Sequence, residues 1–489
     1  MKTAPDRPRK KRRLWLWLIV VPILVLVTAS AGAAVYFKRQ IDRQLTRAIA
    51  EADRDDPNWR LPDLLAHRTP VPDPENSGPL VLSIAAEIPA SWPPSDRIAG
   101  LSTVPPNALL TDDLTSDLCK ELAKVIRPLA QARRLVDRPK GRYEVTLEND
   151  AIEFSLKHLQ AARAASRLIQ FDALLRAQEG DADGAITSIH AILNAGRSIG
   201  DEPLLISQLI RIAIVGEALQ NLERVLAQGE PSEDVLARLQ SLLDDEARQP
   251  RLLWGLRGER ANAHVMLENF ATGRVSVAEA SGMSDAVAPA WLTPFAPMIF
   301  RANQATILHV YNDAITVARK PIDEQPSAWR AWEASSSLPG LKKAKLTEVI
   351  ARLTVPSTAG AGQAEFRIHA MLRAATVLVA CERHRRSHGQ WPGSIAEIDP
   401  KILPEPPRDP YGSEPLRVMP TEFGLVIYAI GPDRVDNGGA VTDLKHYLEP
   451  GHDLGYRAWH VSLRRQPAPL PEWPENVFQT VPGESEAIP

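Results

Sequence analysis

Residues Leu14–Phe37 run for 24 positions, LWLWLIVVPILVLVTASAGAAVYF, without a charged side chain. A helix over this run is about 36 Å long, enough to cross a hydrocarbon core of roughly 30 Å with modest tilt. Inside a bilayer every backbone N–H and C=O must bond within its own segment, so this stretch has one option, a single transmembrane helix. Such helices tolerate Pro22, and Trp15 and Trp17 sit where amphipathic rings settle at the membrane interface. Seven basic residues precede the run (Lys2, Arg7, Arg9, Lys10, Lys11, Arg12 and Arg13) against one acid, Asp6. Lys38, Arg39, Arg43 and Arg47 follow it without reversing the contrast. That asymmetry predicts a cytoplasmic basic tail at 1–13, an inner-membrane anchor at 14–37 and a periplasmic bulk. TASAGAA offers small residues to a signal peptidase, but the apolar run exceeds the usual signal length, so a retained anchor is expected.

Charge narrows the partners. The chain holds 57 Lys and Arg against 60 Asp and Glu; seven and one of these precede Lys38, leaving 50 and 59 beyond it, a net charge of −9. An acidic ectodomain argues against a nucleic-acid partner, which needs a basic surface. The tract at 7–13 suits topology and anionic headgroups instead. Cys119 and Cys381 are the two cysteines, expected to be unpaired and buried rather than a disulfide framework.

Arg39–Asp55 is predicted to continue the membrane helix until Asp55-Asp56-Pro57 stops it, because the residue before proline is pushed out of the helical region. Residues 38–110 join this membrane-proximal helix to a Pro-rich segment, in which Trp59 and Trp92 require burial. Residues 111–353 form a helical body, read from apolar positions at three- and four-residue spacing. Gly180-Asp181 and Gly200-Asp201-Glu202-Pro203 are expected turns, with Asp201 as a helix cap. LLISQLIRIAIVG is too short to span a membrane and holds Gln208 and Arg211, so it is expected to be buried against its neighbours. Leu175–Ile192 resembles one helix–turn–helix of a tetratricopeptide repeat, without the 34-residue recurrence, so the body is a bundle or repeat-like. A cluster of Thr, Pro and Gly marks a linker at 354–364. Residues 464–489 read as a disordered tail. The predicted class is mainly α, with a small α+β module at 365–463.

Within that module, Glu365–Arg386 reads as one helix, Gly389-Gln390-Trp391-Pro392 as its stop, and Leu416–Val418 and Phe423–Ile430 as a hairpin across Met419–Glu422. The order helix, HGQWP, P-x-DPYG, strand pair, IYAIGPDRVDNGG resembles the globular part of the major pseudopilin of type II secretion systems over about Glu365–Asp443. The whole chain resembles large membrane-anchored proteins of planctomycete-type bacteria that append such a module. The resemblance implies a helix packed on a small antiparallel sheet and a final loop that binds Ca2+. By that resemblance Asp433 and Asp436 match acidic loop positions, Asp443 is a closing ligand, and Asn437 adds an oxygen. Calcium takes six to eight oxygens, and Gly431, Gly438 and Gly439 let carbonyls turn inward. The same residues also suit an Asx-rich surface turn with no metal, and Asp409 is expected to cap a turn. Two features depart from a pseudopilin: the apolar run lies far upstream, and no prepilin-peptidase sequence precedes it.

His384 and His388 share a helix face, but Arg383, Arg385 and Arg386 crowd out another cation. The sequence contains no G-x-S-x-G elbow, Walker A loop or dinucleotide fingerprint. The expected function is therefore a membrane-anchored envelope scaffold or protein-interaction module with a structural calcium loop, its protein partner unspecified. The alternatives are an envelope hydrolase with a carboxylate site in residues 150–350 and an accessory protein of a secretion system.

Overall fold

The computed structural model describes residues 10–93, 101, 104–145, 156–275, 294–336, 348–441 and 451–468. The helices of the first half are α1 (Lys10–Asp55), α2 (Leu61–Ala66), α3 (Gly78–Glu87), α4 (Asp112–Ala123), α5 (Ile126–Arg133), α6 (Lys157–Glu179) and α7 (Ala182–Arg197). Then come α8 (Leu205–Gln228), α9 (Glu233–Ala247), α10 (Arg251–Thr272), α11 (Ala296–Ala318), α12 (Gln325–Ser336) and α13 (Val349–His388). Three strands close the fold: β1 (Arg417–Thr421), β2 (Gly424–Ala429) and β3 (Leu454–Trp459). The architecture is mainly helical with one small C-terminal sheet, as the sequence predicts.

Helix α1 passes Pro22 unbroken, and among the described residues it is the one helix long and apolar enough to cross a membrane. Past Phe37 it changes character. Ile41, Leu45, Ala48 and Ala52, at four- and three-residue spacing, turn inward, with Leu45, Ala48 and Ala52 packed against Ala305 and Leu308 of α11. Trp59 is fully buried just after the helix, edge-on to His264 at 5.1 Å, and donates its indole N–H to Asp53 at 2.9 Å. Asp56 lies beside it and takes three arginines from two helices. Arg257 Nε approaches at 3.0 Å, Arg319 Nη2 at 2.8 Å, and Arg260 closes the set. The Pro-rich segment is likewise docked: Trp92 meets Phe171 edge-on at 5.6 Å and donates to the Glu121 carbonyl at 3.1 Å.

Helices α6 and α7 pair about a tight turn in which Gly180 adopts φ +84° and Asp181 caps α7 through the Gly184 N–H at 2.9 Å. Contrary to the expectation, Asp201 does not cap the next helix, which starts after Leu204; it accepts from Arg68 Nε at 3.1 Å and from the Thr69 N–H at 2.7 Å, tying the Pro-rich segment to the body. Helix α8 is buried nearly all round, as its mostly apolar sequence predicts, and Gln208 and Arg211 are buried with it.

The expected linker at 354–364 is helical, part of the 40-residue α13. Its Thr and Gly content lowers helix propensity, but tertiary packing overrides that bias: Thr358 and Ala361 are buried. Gly362 is required by a close approach, since a Cβ there would lie 2.2 Å from the Trp329 indole. Because α13 packs on α8 and α9 and also on β2 and β3, one continuous core reaches from Val81 to Ala458. The sheet has order β1-β2-β3, all antiparallel, and the Thr421–Gly424 pair narrows the expected hairpin turn to Glu422-Phe423.

The start of the expected tail is also docked. Arg464 bonds both Glu382 carboxylate oxygens at 2.9 and 3.1 Å, and Arg465 donates to the Ala177 and Gln178 carbonyls at 2.8 and 2.9 Å. Those carbonyls belong to the C-terminus of α6, where a cation is favoured by unpaired C=O groups and the helix dipole. Residues 469–489 lie outside the described part.

Two glycines on α13 carry opposite expectations. Gly362→Ala should cost about 1–3 kcal/mol by overpacking against a buried indole. Gly360, with nothing within 4 Å of a built Cβ, should gain about 0.5–1 kcal/mol as alanine. Denaturant unfolding of the detergent-purified chain measures both.

Candidate functional site

The C-terminal loop holds its polar groups on internal partners. Asp436 Oδ1 accepts from the Tyr428 hydroxyl at 3.1 Å and the Gly438 N–H at 3.0 Å, while Oδ2 faces Arg417 Nε at 2.7 Å. Asp433 accepts from the Val435 N–H at 3.1 Å and the Gly451 N–H at 3.2 Å. Asn437 turns its amide onto the Val435 carbonyl at 3.0 Å. Asp443 lies outside the described residues. Among the described residues no three acids, histidines or cysteines gather as a metal requires. A calcium site built from Asp436 would therefore first have to displace Arg417.

The loop's organising group is Asp453, which nothing in the sequence motif singles out. It is buried and accepts from the Asn437 N–H at 3.3 Å and the Gly439 N–H at 2.8 Å. Burial pushes its carboxyl up, against the pull of these backbone donors. Asp409, expected to cap a turn, does so at the Tyr411 N–H at 2.9 Å and also reaches the Ile430 N–H at 2.9 Å.

A concavity lies elsewhere. A cleft of about 1060 Å³ opens between α9, the start of α10, the end of α11 with its following turn, α13 and the loop 401–408. Its floor is one row of α13: Glu365, His369 and Arg373, four residues apart and so stacked on one face. Arg251 bonds both oxygens of Glu365 at 3.0 and 3.1 Å and reaches Glu246 at 3.1 Å. Glu246 in turn receives Arg211 at 2.7 and 2.9 Å and Arg197 Nε at 3.1 Å. Burial pushes the Glu246 carboxyl up, yet Arg211, Arg251 and Arg197 together bring it below its ordinary value. Glu365 faces fewer cations, and there burial wins and raises it.

His369 is 5% exposed, and neither ring nitrogen has a hydrogen-bond partner. Burial, with Arg373 and Arg251 nearby, holds its pKa well below the usual value, so the ring is neutral at pH 7. Arg373 uses Nη1 on Asp323 and on the Arg408 carbonyl, both at 2.6 Å. Among the described residues its Nε and Nη2 bond nothing. The lip of the cleft is fixed by Gln240, which donates to the Ile402 carbonyl at 2.8 Å and accepts from Arg383 at 2.9 Å. Among the described lining residues no nucleophile is bonded to a base, and Glu365 is held by Arg251. The arrangement is suited to binding.

The remaining candidates are structural. His384 and His388 stack at 4.1 Å, and the Asp399 N–H donates to His384 Nδ1 at 3.3 Å. Arg383 and Arg385 pair with Glu233 and Glu382. Both cysteines are free; Cys381 is buried, whereas Cys119 is exposed, because α4 buries the adjacent Leu118 together with Glu121 and Leu122.

Asp453→Ala strands two loop N–H groups and should cost about 1–3 kcal/mol, read as a lower unfolding midpoint. His369 gives a pH signature. Its folded pKa lies below the unfolded value, so the folded state binds fewer protons and stability falls as pH drops through about 6.5. Melting between pH 7 and 5 should decline less steeply in His369→Leu than in the natural chain.

No family model matches this chain, and no curated protein or solved structure matches it either.

Proposed function

We propose that the protein is a membrane-anchored envelope scaffold, its N-terminus cytoplasmic and its body on the periplasmic side of the inner membrane. The observation that carries this reading is the continuity of α1. The helix leaves its apolar run without a hinge and becomes a packed edge of the body, ending at Asp56 under three arginines. A helix from Phe37 to Asp55 measures about 27 Å. Arg319 both clamps Asp56 and lines the cleft, so the cleft stands at that height above the end of the apolar run. An anchor that needed only to tether would be served by a flexible linker. A helix packed over its whole extramembrane length sets height and orientation, which is what a scaffold requires. In this reading the pseudopilin-like module serves as a part of the scaffold, docked on the body through α13.

Cys119 supplies the test. A membrane-impermeant maleimide should label it in intact spheroplasts, with Cys119→Ser as the blank and Cys381 silent. Labelling that appears only after lysis would put the body in the cytoplasm and overturn the reading. Asp56→Ala should leave the chain in the membrane fraction but cost about 3–5 kcal/mol of ectodomain stability, because Arg260 is left buried without its counter-ion.

A further inference from the structure

The charge of the cleft is opposite to that of the chain. Seven arginines and lysines line it against four acids, in a protein whose net charge is −3. Three of those acids are already paired: Asp244 with Arg248, Asp323 with Arg373 at 2.6 Å, and Glu365 with Arg251 at 3.0 Å. Several cations are not matched in this way. Among the described residues the side chains of Lys401 and Arg408 pair with nothing, and Lys320 stands 3.6 Å from Glu324, a loose contact. The Arg408 backbone and the turn holding Lys320 and Asp323 meet at Arg373, which brings Lys320 and Arg408 to one end of the cleft, whereas Lys401 stands at the other, next to Ile402, which Gln240 holds near Arg383. Below them sits His369, buried and without a partner. An unbonded imidazole in a protein interior is destabilising by itself, so its place in the floor of a charged cleft calls for a reason beyond packing. Apolar side chains complete the lining, among them Leu252, Leu253, Ile322 and Leu403.

We propose that this cleft binds a small organic anion, its acidic group on the free edge of Arg373 between Lys320 and Arg408, its apolar part against Leu252, Ile322 and Leu403. His369, one turn before Arg373 on the same row of α13, offers an unpartnered ring N–H from the floor beneath that group. A carboxylate and a phosphate share the chemistry that Arg373 recognises, two oxygens in the plane of a guanidinium fork. The cavity volume far exceeds one acidic group, which is why the ligand has an apolar body. This inference adds a ligand class to the scaffold reading without depending on its topology.

The test uses the full chain in detergent and four probes of one size: phenyl phosphate, benzoate, neutral benzyl alcohol and cationic benzylamine. Calorimetry and thermal shift should show saturable binding of at least one anion and none of the other two; the tighter anion tells phosphate from carboxylate. Arg373→Gln should weaken that binding about tenfold or more, the loss expected when a charge-assisted hydrogen bond is removed. Lys320→Gln with Arg408→Gln, both at exposed positions, should weaken it and flatten its salt dependence even if Arg373→Gln folds poorly. His369→Leu should raise the melting temperature of the ligand-free protein while lowering affinity, a split that a purely structural histidine would not give. Equal binding of all four probes overturns the proposal, as does no binding at millimolar concentration. Anion binding unchanged in both the Arg373 and the Lys320/Arg408 variants would trace it to other basic groups, such as the N-terminal tract, and would also overturn it.

Discussion

Glu246 is the group around which the body is organised. It is completely buried on α9 and takes Arg197 from α7, Arg211 from α8 and Arg251 from α10; Arg251 passes the contact on to Glu365 of α13. Removing a carboxylate from water costs several kcal/mol, and an ion pair offsets that only with close geometry and filled lone pairs. Here the offset comes from three arginines, which hold Glu246 ionised although burial acts the other way. An apolar replacement could match such a network in stability, but it would not define position. Charged forks bond in one register, so five helices are fixed relative to one another at a single point. The cleft inherits that precision, because His369 and Arg373 lie one and two turns along α13 from the pinned Glu365.

The parts of this fold that the sequence reveals are those governed by local rules. Absence of charge defines the α1 span, three- and four-residue spacing marks the body, and Gly180-Asp181 announces its turn. Arg211 inside an apolar helix correctly signals a buried partner, though not which one. The linker at 354–364 was misleading because propensity is a local bias, while Gly362 answers to Trp329, more than thirty residues away. Arg464 and Arg465 look like part of a polar tail until Glu382 and the end of α6 are in place beside them. Cys119 differs from its buried neighbours only by helical phase.

The site divides in the same way. Glu365, His369 and Arg373 stand four residues apart on one helix, and His369 also aligns with the apolar Phe366 and Leu372, three residues to either side. What cannot be seen from spacing is that α9, α11 and the 401–408 loop stand back from this row and leave a cavity over it. In the C-terminal loop the motif draws attention to Asp433 and Asp436, whereas the buried acid that bonds the loop backbone is Asp453, beyond the segment that carries the resemblance.

The two ends of the molecule are joined by α11. Asp42 meets Arg301 at 3.3 Å, Glu51 meets His309 at 3.3 Å and Asp56 meets Arg319 at 2.8 Å, so α1 and α11 advance side by side in parallel. The exposed outer pairs contribute little individually; Asp56, largely dry and shared by three arginines, dominates the join. One end of α11 therefore stands beside the part of α1 that follows its apolar run, and the other forms a wall of the cleft. With the join at Asp56 closed, the cleft has one distance from the apolar run of α1 rather than a range of distances. The cationic cleft and the apolar span are then two faces of one rigid element, and fixing the first relative to the second is the mechanical consequence of Pro57 ending α1 where Asp56 can be clamped.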